Sequence, residues 1–215
     1  MPDNLNRILL LVTPPLLIVT TVGAFRMFAR FLGPKTGYLA GFGFYWLFWC
    51  VALPMVVLGR DGVAAIFQRV RHPFGRPAWL GALGLILPLG LGYGYAFPRA
   101  IAGATPVAVL VSAALALVNG PLEELLWRGT YAVTFGSSKL FGWVYPTLGF
   151  ALWHLAPLSV FPNRAPGGNV SFILAASVIG LFYGWVATQT RSIRYTTIAH
   201  VLFDFSGLGG RIFLG

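Results

Sequence analysis

The chain has 215 residues, of which 57% are hydrophobic, 15% aromatic and only 9% charged. Soluble domains carry about a quarter of their residues as charged side chains. This composition, with a mean hydropathy of +0.78, therefore excludes an ordinary soluble globular protein, a disordered chain and a coiled coil, and points to a polytopic α-helical membrane protein. The net charge of +10, from 15 basic and five acidic residues, is scattered between apolar blocks. That distribution suits positive loops against anionic membrane lipid and excludes a nucleic-acid-binding surface.

In chain order, charge-free windows fall at 8–25, 36–59, 77–98, 100–122, 140–163 and 165–190, and a last apolar window at 195–210 carries Asp204 as its one charge. Most reach the ~20 residues that a helix needs to cross ~30 Å of hydrocarbon. A spanning backbone must satisfy its own hydrogen bonds, so these windows predict helices. A strict apolar–polar alternation is missing, which argues against a barrel. Pro14, Pro15, Pro54, Pro88, Pro106, Pro146 and Pro157 lie inside the windows, where a bundle tolerates them as kinks. The step Asn119-Gly120-Pro121 either bends one long helix or separates two. The fold class expected is therefore all-α: a polytopic transmembrane helix bundle of seven or eight helices. Segment 60–76 is the one long polar connection, and 61–69 reads as a short interfacial amphipathic helix. Val22-Gly23-Ala24 is a weak signal-cleavage site, and an uncleaved first span is the plainer expectation. If the N-terminus, segment 60–76, Lys139 and segment 191–194 share one side, that side is slightly the more basic and hence cytoplasmic. The single cysteine, Cys50, excludes a disulfide framework and a cysteine metal cluster. No repeat or linker marks a second soluble domain.

The placement of the acids carries most of the information. Asp3 and Asp61 belong to a terminus and a loop, but Glu123, Glu124 and Asp204 lie in or against apolar segments, as do His154 and His200. His72, beside Pro73 in the polar loop, reads as surface. An ionisable group at membrane depth is costly unless paired or hydrated, so an internal polar site is the expectation. Glu124 and Arg128 are spaced i,i+4 and can pair along one helix. Glu123 projects about 100° away from Glu124 and can face something else. Phe150 and His154, and likewise His200 and Asp204, share helix faces at i,i+4, and Asp204 is placed to orient the His200 ring. Trp127, Trp143, Trp153 and Trp185 read as interfacial or packing residues. Arg99, Lys139, Arg164, Arg191, Arg194 and Arg211 read as topology signals.

Glu123-Glu124-Leu125-Leu126-Trp127-Arg128 resembles the EExxxR motif of the CPBP family of intramembrane proteases, which includes the Rce1-like type II CAAX prenyl endopeptidases and the bacterial Abi proteins. Phe150-Ala151-Leu152-Trp153-His154 resembles its FxxxH motif, and His200-Val201-Leu202-Phe203-Asp204 its HxxxN/D motif. Each motif alone is weak; the three in order, on membrane helices, are specific. The resemblance covers about 105–207, which divides the chain into N-terminal transmembrane helices without a motif (1–104), a CPBP/Abi-like catalytic core (105–207) and a C-terminal tail (208–215). Asp204 stands where eukaryotic-type members carry Asn, and an ionised Asp cannot donate the hydrogen bond that Asn can.

The resemblance implies hydrolysis of a peptide bond in a membrane-associated, possibly lipidated, protein or peptide. Glu123 would act as general base on a water shared with His154, and His200, held by Asp204, would stabilise the oxyanion. Glu124 would act with them in the catalytic set, with Arg128 and Phe150 as structural support. No cofactor is required in this scheme. A zinc version would draw its ligands from Glu123, His154, His200 and Asp204, although three separate helices supply them without an HExxH pair. The alternatives left open are a non-catalytic immunity or scaffold protein that binds a bacteriocin or another partner, and a small transporter or proton path. The expected location is a prokaryotic inner (plasma) membrane, with the oligomeric state unread.

Overall fold

Apolar length makes the helices, and a computed structural model of the chain, which describes residues 3–136 and 138–214, shows how they are joined. The helices are α1 (Asp3–Leu32), α2 (Pro34–Ile66), α3 (Ala78–Ile101), α4 (Pro106–Phe135), α5 (140–158), α6 (Gly168–Thr190), α7 (Arg194–Ser206) and a last short turn, α8 (Arg211–Leu214). Five of them, α1 to α4 and α6, are long and apolar enough to cross a membrane. With α5 and α7 they make a bundle of seven main helices, and no strand occurs among the described residues. Large apolar side chains such as Val19, Leu47 and Leu110 are about 70% exposed on the outside of this bundle, where hydrocarbon is their natural solvent.

The charge-free windows place the spans but misplace their ends. Arg7, Arg26 and Arg30 all lie within α1; a charged side chain does not interrupt backbone hydrogen bonding, and a long one near a helix end reaches out to the interface. The window at 100–122 instead breaks at 102–105. There Gly103 takes φ +77°, and the Thr105 side chain caps α4 by accepting from the Ala108 N–H at 3.1 Å. Pro106 then occupies the first helical position, where its missing N–H costs nothing. From there α4 runs unbroken through Asn119-Gly120-Pro121, so that step lies within one helix. The interfacial segment is a continuation of α2 past a kink at Gly59, whose φ of +69° glycine adopts freely. The chain leaves helix geometry after Ile66. Gly215, at the end of the expected tail, lies outside the described residues.

The core is built where α1 passes between α2, α4 and α5. Leu10, Leu17 and Phe25 of α1 pack with Tyr45 and Trp49 of α2, Trp127 and Tyr131 of α4, and Phe150 and Trp153 of α5. The polar ends of these aromatics are tied down: Trp127 Nε1 donates to Tyr45 Oη at 2.7 Å, and Tyr131 Oη to the Leu10 carbonyl at 2.8 Å. At one end of the bundle, Ile193 N donates to the Ile66 carbonyl, Ser192 Oγ to the Gln68 carbonyl and Arg191 to the Ala132 carbonyl. Arg7 sits with Phe135 and Ser138 at the same end. The N-terminus and the basic connections therefore share a face. The opposite end gathers the start of α2, the end of α3, the start of α4 and α8, through Gly210 N donating to Ser112 Oγ at 2.9 Å and the Tyr38–Phe213 ring contact.

Candidate active site

Close approach of two helices assembles the polar cluster. α4 and α7 cross at Gly120, where a Cβ would stand 2.8 Å from Val201 Cγ2 and 3.0 Å from the Val201 backbone nitrogen. A bare glycine at this crossing lets the carboxylates of the first motif meet the side chains of the third. Immediately beyond it, residues 125–130 form a π-helical turn, a local irregularity common at functional sites. Every residue of that turn is buried, so Arg128 is carried into the bundle interior.

His200 sits at the centre. Its Nδ1 lies 2.9 Å from Glu124 Oε1, and its Nε2 lies 3.4 Å from Glu123 Oε2 and 3.5 Å from Asp204 Oδ1. The i,i+4 spacing pairs His200 with Asp204, yet the tighter contact comes from the neighbouring helix, because the crossing at Gly120 places Glu124 against the ring. Carboxylates only accept, so Nδ1 is a donor, and a proton on Nε2 as well would satisfy both sides of the ring. The Nε2 contacts exceed the 2.7–2.9 Å of a committed charge-assisted hydrogen bond, so that nitrogen is the more loosely held of the two.

Glu124 also faces Arg128 Nη1 at 3.5 Å, and both side chains are essentially inaccessible. The Arg128 guanidinium carbon lies 3.8 Å from the centre of the Phe150 ring. This stacking accounts for the phenylalanine of the second motif: it holds the cation of the first. Gly180 on α6 leaves room for the pair, since a Cβ there would come 3.2 Å from Arg128 Nη2 and 3.3 Å from Phe150 Cδ1. His154, one turn below Phe150, has Nδ1 at 2.8 Å from the Phe150 carbonyl oxygen. That carbonyl requires Nδ1–H, so in the neutral ring Nε2 is the acceptor.

A cavity of about 950 Å³ opens beside this cluster, with Glu123, His154 and Asp204 in its wall. Glu123 is buried, and its Oε1 has no hydrogen-bond partner within the chain. His200 stands behind Glu123 and Asp204. The site residues expected from sequence thus fall in two groups: Glu123, His154 and Asp204 on the cavity, and Glu124, Arg128, Phe150 and His200 packed around them. As arranged, the four candidate zinc ligands do not fit a metal centre. No group of three His, Cys, Asp or Glu side chains is placed to hold a metal ion among the described residues, and His200 is turned onto carboxylates at both nitrogens.

One residue of the site escapes the motif reading. Asn119 Nδ2 donates to Asp204 Oδ2 at 2.8 Å, and Trp46 Nε1 donates to Asn119 Oδ1 at 2.9 Å. An indole N–H can only donate, so it fixes the amide with its oxygen towards Trp46 and its NH₂ towards Asp204. Asn119 thereby supplies Asp204 with a donor. The signal was present in sequence, as a polar side chain one turn before Glu123 in an apolar span, but reading Asn119 as part of a kink hid it.

Residues 105–206 match the family described as type II CAAX prenyl endopeptidase Rce1-like. No curated protein and no solved structure matches the chain. The matched span falls just short of half of the chain, yet it holds the three motifs and the whole ionic cluster from Glu123 to Asp204, and over it this integral membrane protein is similar to the Rce1-like family.

Proposed function

We propose that the chain is an intramembrane endopeptidase of a prokaryotic plasma membrane that hydrolyses a peptide bond of a membrane-associated, prenylated or otherwise lipid-bearing substrate. The observation that carries this reading is the unpartnered, buried Oε1 of Glu123 on the wall of a cavity shared with His154. A water there donates one hydrogen to Glu123 Oε1 and the other to His154 Nε2, which leaves its lone pair directed at a carbonyl carbon in the cavity. Glu123 takes the proton as the water attacks and returns it to the departing amine. His200 Nε2–H, loosely held between two carboxylates, turns onto the oxyanion. Glu124 holds the other side of that ring, Arg128 offsets the clustered negative charge and Phe150 fixes Arg128. No step requires a metal.

The test uses purified protein in lipid nanodiscs with an S-farnesylated peptide, and products read by mass. Glu123→Gln keeps the shape and removes the base; it is expected to lower the rate at least about a hundredfold while leaving the folded yield unchanged. Hydrolysis by the parent should also survive a strong zinc chelator. Equal rates for the parent and Glu123→Gln would overturn the assignment of the base and favour the binding or immunity reading.

A further inference from the structure

Away from the cavity, the ionic cluster ends in polar atoms that no neighbouring side chain satisfies. Glu124 Oε1 faces His200 Nδ1 at 2.9 Å and Arg128 Nη1 at 3.5 Å, but Glu124 Oε2 has no hydrogen-bond partner among the described residues. Arg128 Nε, Nη1 and Nη2 have none either, although the residue is buried and its guanidinium carries five N–H donors. Tyr183 Oη on α6 is unpartnered in the same way, on a fully buried side chain. These atoms lie together. Gly180 precedes Tyr183 by about one turn, and a Cβ at Gly180 would stand 3.2 Å from Arg128 Nη2. Helical side chains lean towards the N-terminus of their helix, so Tyr183 is directed back over Gly180, towards the guanidinium. Its ring centre is 6.0 Å from that of His200, and it is in electrostatic range of Glu124 and Arg128. The other neighbours offer no partner. Leu85, Val186 and Ala199 pack around Tyr183, and the Thr147 hydroxyl already donates to the carbonyls of Trp143 and Gly180.

We infer that a buried water bridges Arg128, Glu124 Oε2 and Tyr183 Oη, and that through it Tyr183 is a positioning residue for His200. Buried waters typically make about three hydrogen bonds to groups the chain leaves unsatisfied, and several such groups in one place are otherwise rare. The water accepts from an Arg128 N–H and from the Tyr183 O–H, and donates to Glu124 Oε2. A neutral ligand suits this spot, because Glu124 repels an anion and Arg128 a cation. Neither Arg128, Glu124 nor Tyr183 lines the cavity that holds Glu123, so this water is separate from the attacking one. Its effect runs through the carboxylate. With Oε2 committed to the water, Oε1 stays on His200 Nδ1. Without the water, Glu124 turns both oxygens towards the guanidinium in a bidentate pair, and the His200 ring loses its closest contact. The consequence for hydrolysis rests on the peptidase reading; the water site does not.

Tyr183→Phe, which removes one oxygen and keeps the ring, is the test, in protein held in lipid nanodiscs. The sign of its effect on the thermal midpoint discriminates. Deleting a buried hydroxyl that has no partner stabilises, whereas deleting one that holds a water on a buried cation destabilises. The midpoint is expected to fall by about 2–4 °C; an unchanged or raised midpoint would overturn the inference. The positioning role is read without turnover from the ring ¹⁵N resonances of the three histidines. Tyr183→Phe should move the His200 Nδ1 resonance and leave His154 in place, and an unmoved His200 would sink that role. With the S-farnesylated peptide, kcat should fall about tenfold while KM holds; a raised KM at unchanged kcat would also count against it. The two readings fail separately. A parent that hydrolyses no peptide, with the midpoint and the His200 resonance behaving as expected, ends the peptidase reading and keeps the water. Active parent protein with a raised midpoint in Tyr183→Phe does the reverse.

Discussion

Arg128 shows how one side chain ties two motifs together. It faces the Glu124 carboxylate at 3.5 Å and lies over the Phe150 ring at 3.8 Å, wholly buried. Removing one partner of a buried ion pair costs about 3–5 kcal/mol, because the other charge is left without compensation. Arg128→Ala is therefore expected to lower the thermal midpoint and the folded yield sharply. Arg128→Lys should recover part of the loss, since the charge returns and the planar stack does not. A midpoint unchanged in Arg128→Ala would contradict this. Asn119 makes a prediction of a different kind. Asn119→Leu removes the donor to Asp204 without removing a charge, and should lower kcat about tenfold with little change in KM. Asn119→Asp faces two carboxylates at each other and should do worse. The exchange Asn119→Asp with Asp204→Asn restores one donor and one acceptor, with Trp46 still satisfied, and should recover much of the rate. An exchange no better than Asn119→Asp alone would reduce Asn119 to packing. At this scale the charged residues were legible, because an acid at membrane depth needs a reason. Asn119 was not, because an amide next to Gly and Pro also has an ordinary reading as a bend.

Between helices, the site depends on how closely α4 and α7 approach. The backbone of Val201 stands where a Gly120 side chain would go, and backbone cannot yield as a flexible side chain can. Gly120→Leu should push the helices apart, break the 2.9 Å contact between His200 and Glu124, and lower the rate at least about a hundredfold, since catalysis is sensitive to displacements of about 1 Å. Gly120→Ala with Val201→Ala removes half of the clash and should retain more activity than Gly120→Leu. Full activity in Gly120→Leu would show that the crossing does not set the site. Sequence spacing put His200 and Asp204 on one face of α7, which is local geometry. It could not show that Glu124 reaches His200 more tightly, because that distance is set by the crossing.

For the molecule as a whole, the question is whether the cavity is a chamber or a passage. Its wall includes Arg211, Phe213 and Leu115, which belong to the end of the bundle away from the N-terminus. Cys50, the one native thiol, is fully buried. Leu115→Cys in a Cys50→Ala background should react with a membrane-impermeant maleimide from one face of the membrane, opposite a tag on the N-terminus. Reaction from both faces would mean a continuous aqueous path and would revive the transport reading.

Composition and the placement of a few ionisable residues determined that this is a helical membrane bundle with an internal polar site built from α4, α5 and α7. Those properties follow from the cost of charge in hydrocarbon, which acts on each residue where it stands. Tertiary structure alone decided which carboxylate holds which nitrogen, that Phe150 carries Arg128, and that Asn119 serves Asp204. Those are distances between residues remote in sequence. They depend on where helices cross and on which side chains are small enough to let them.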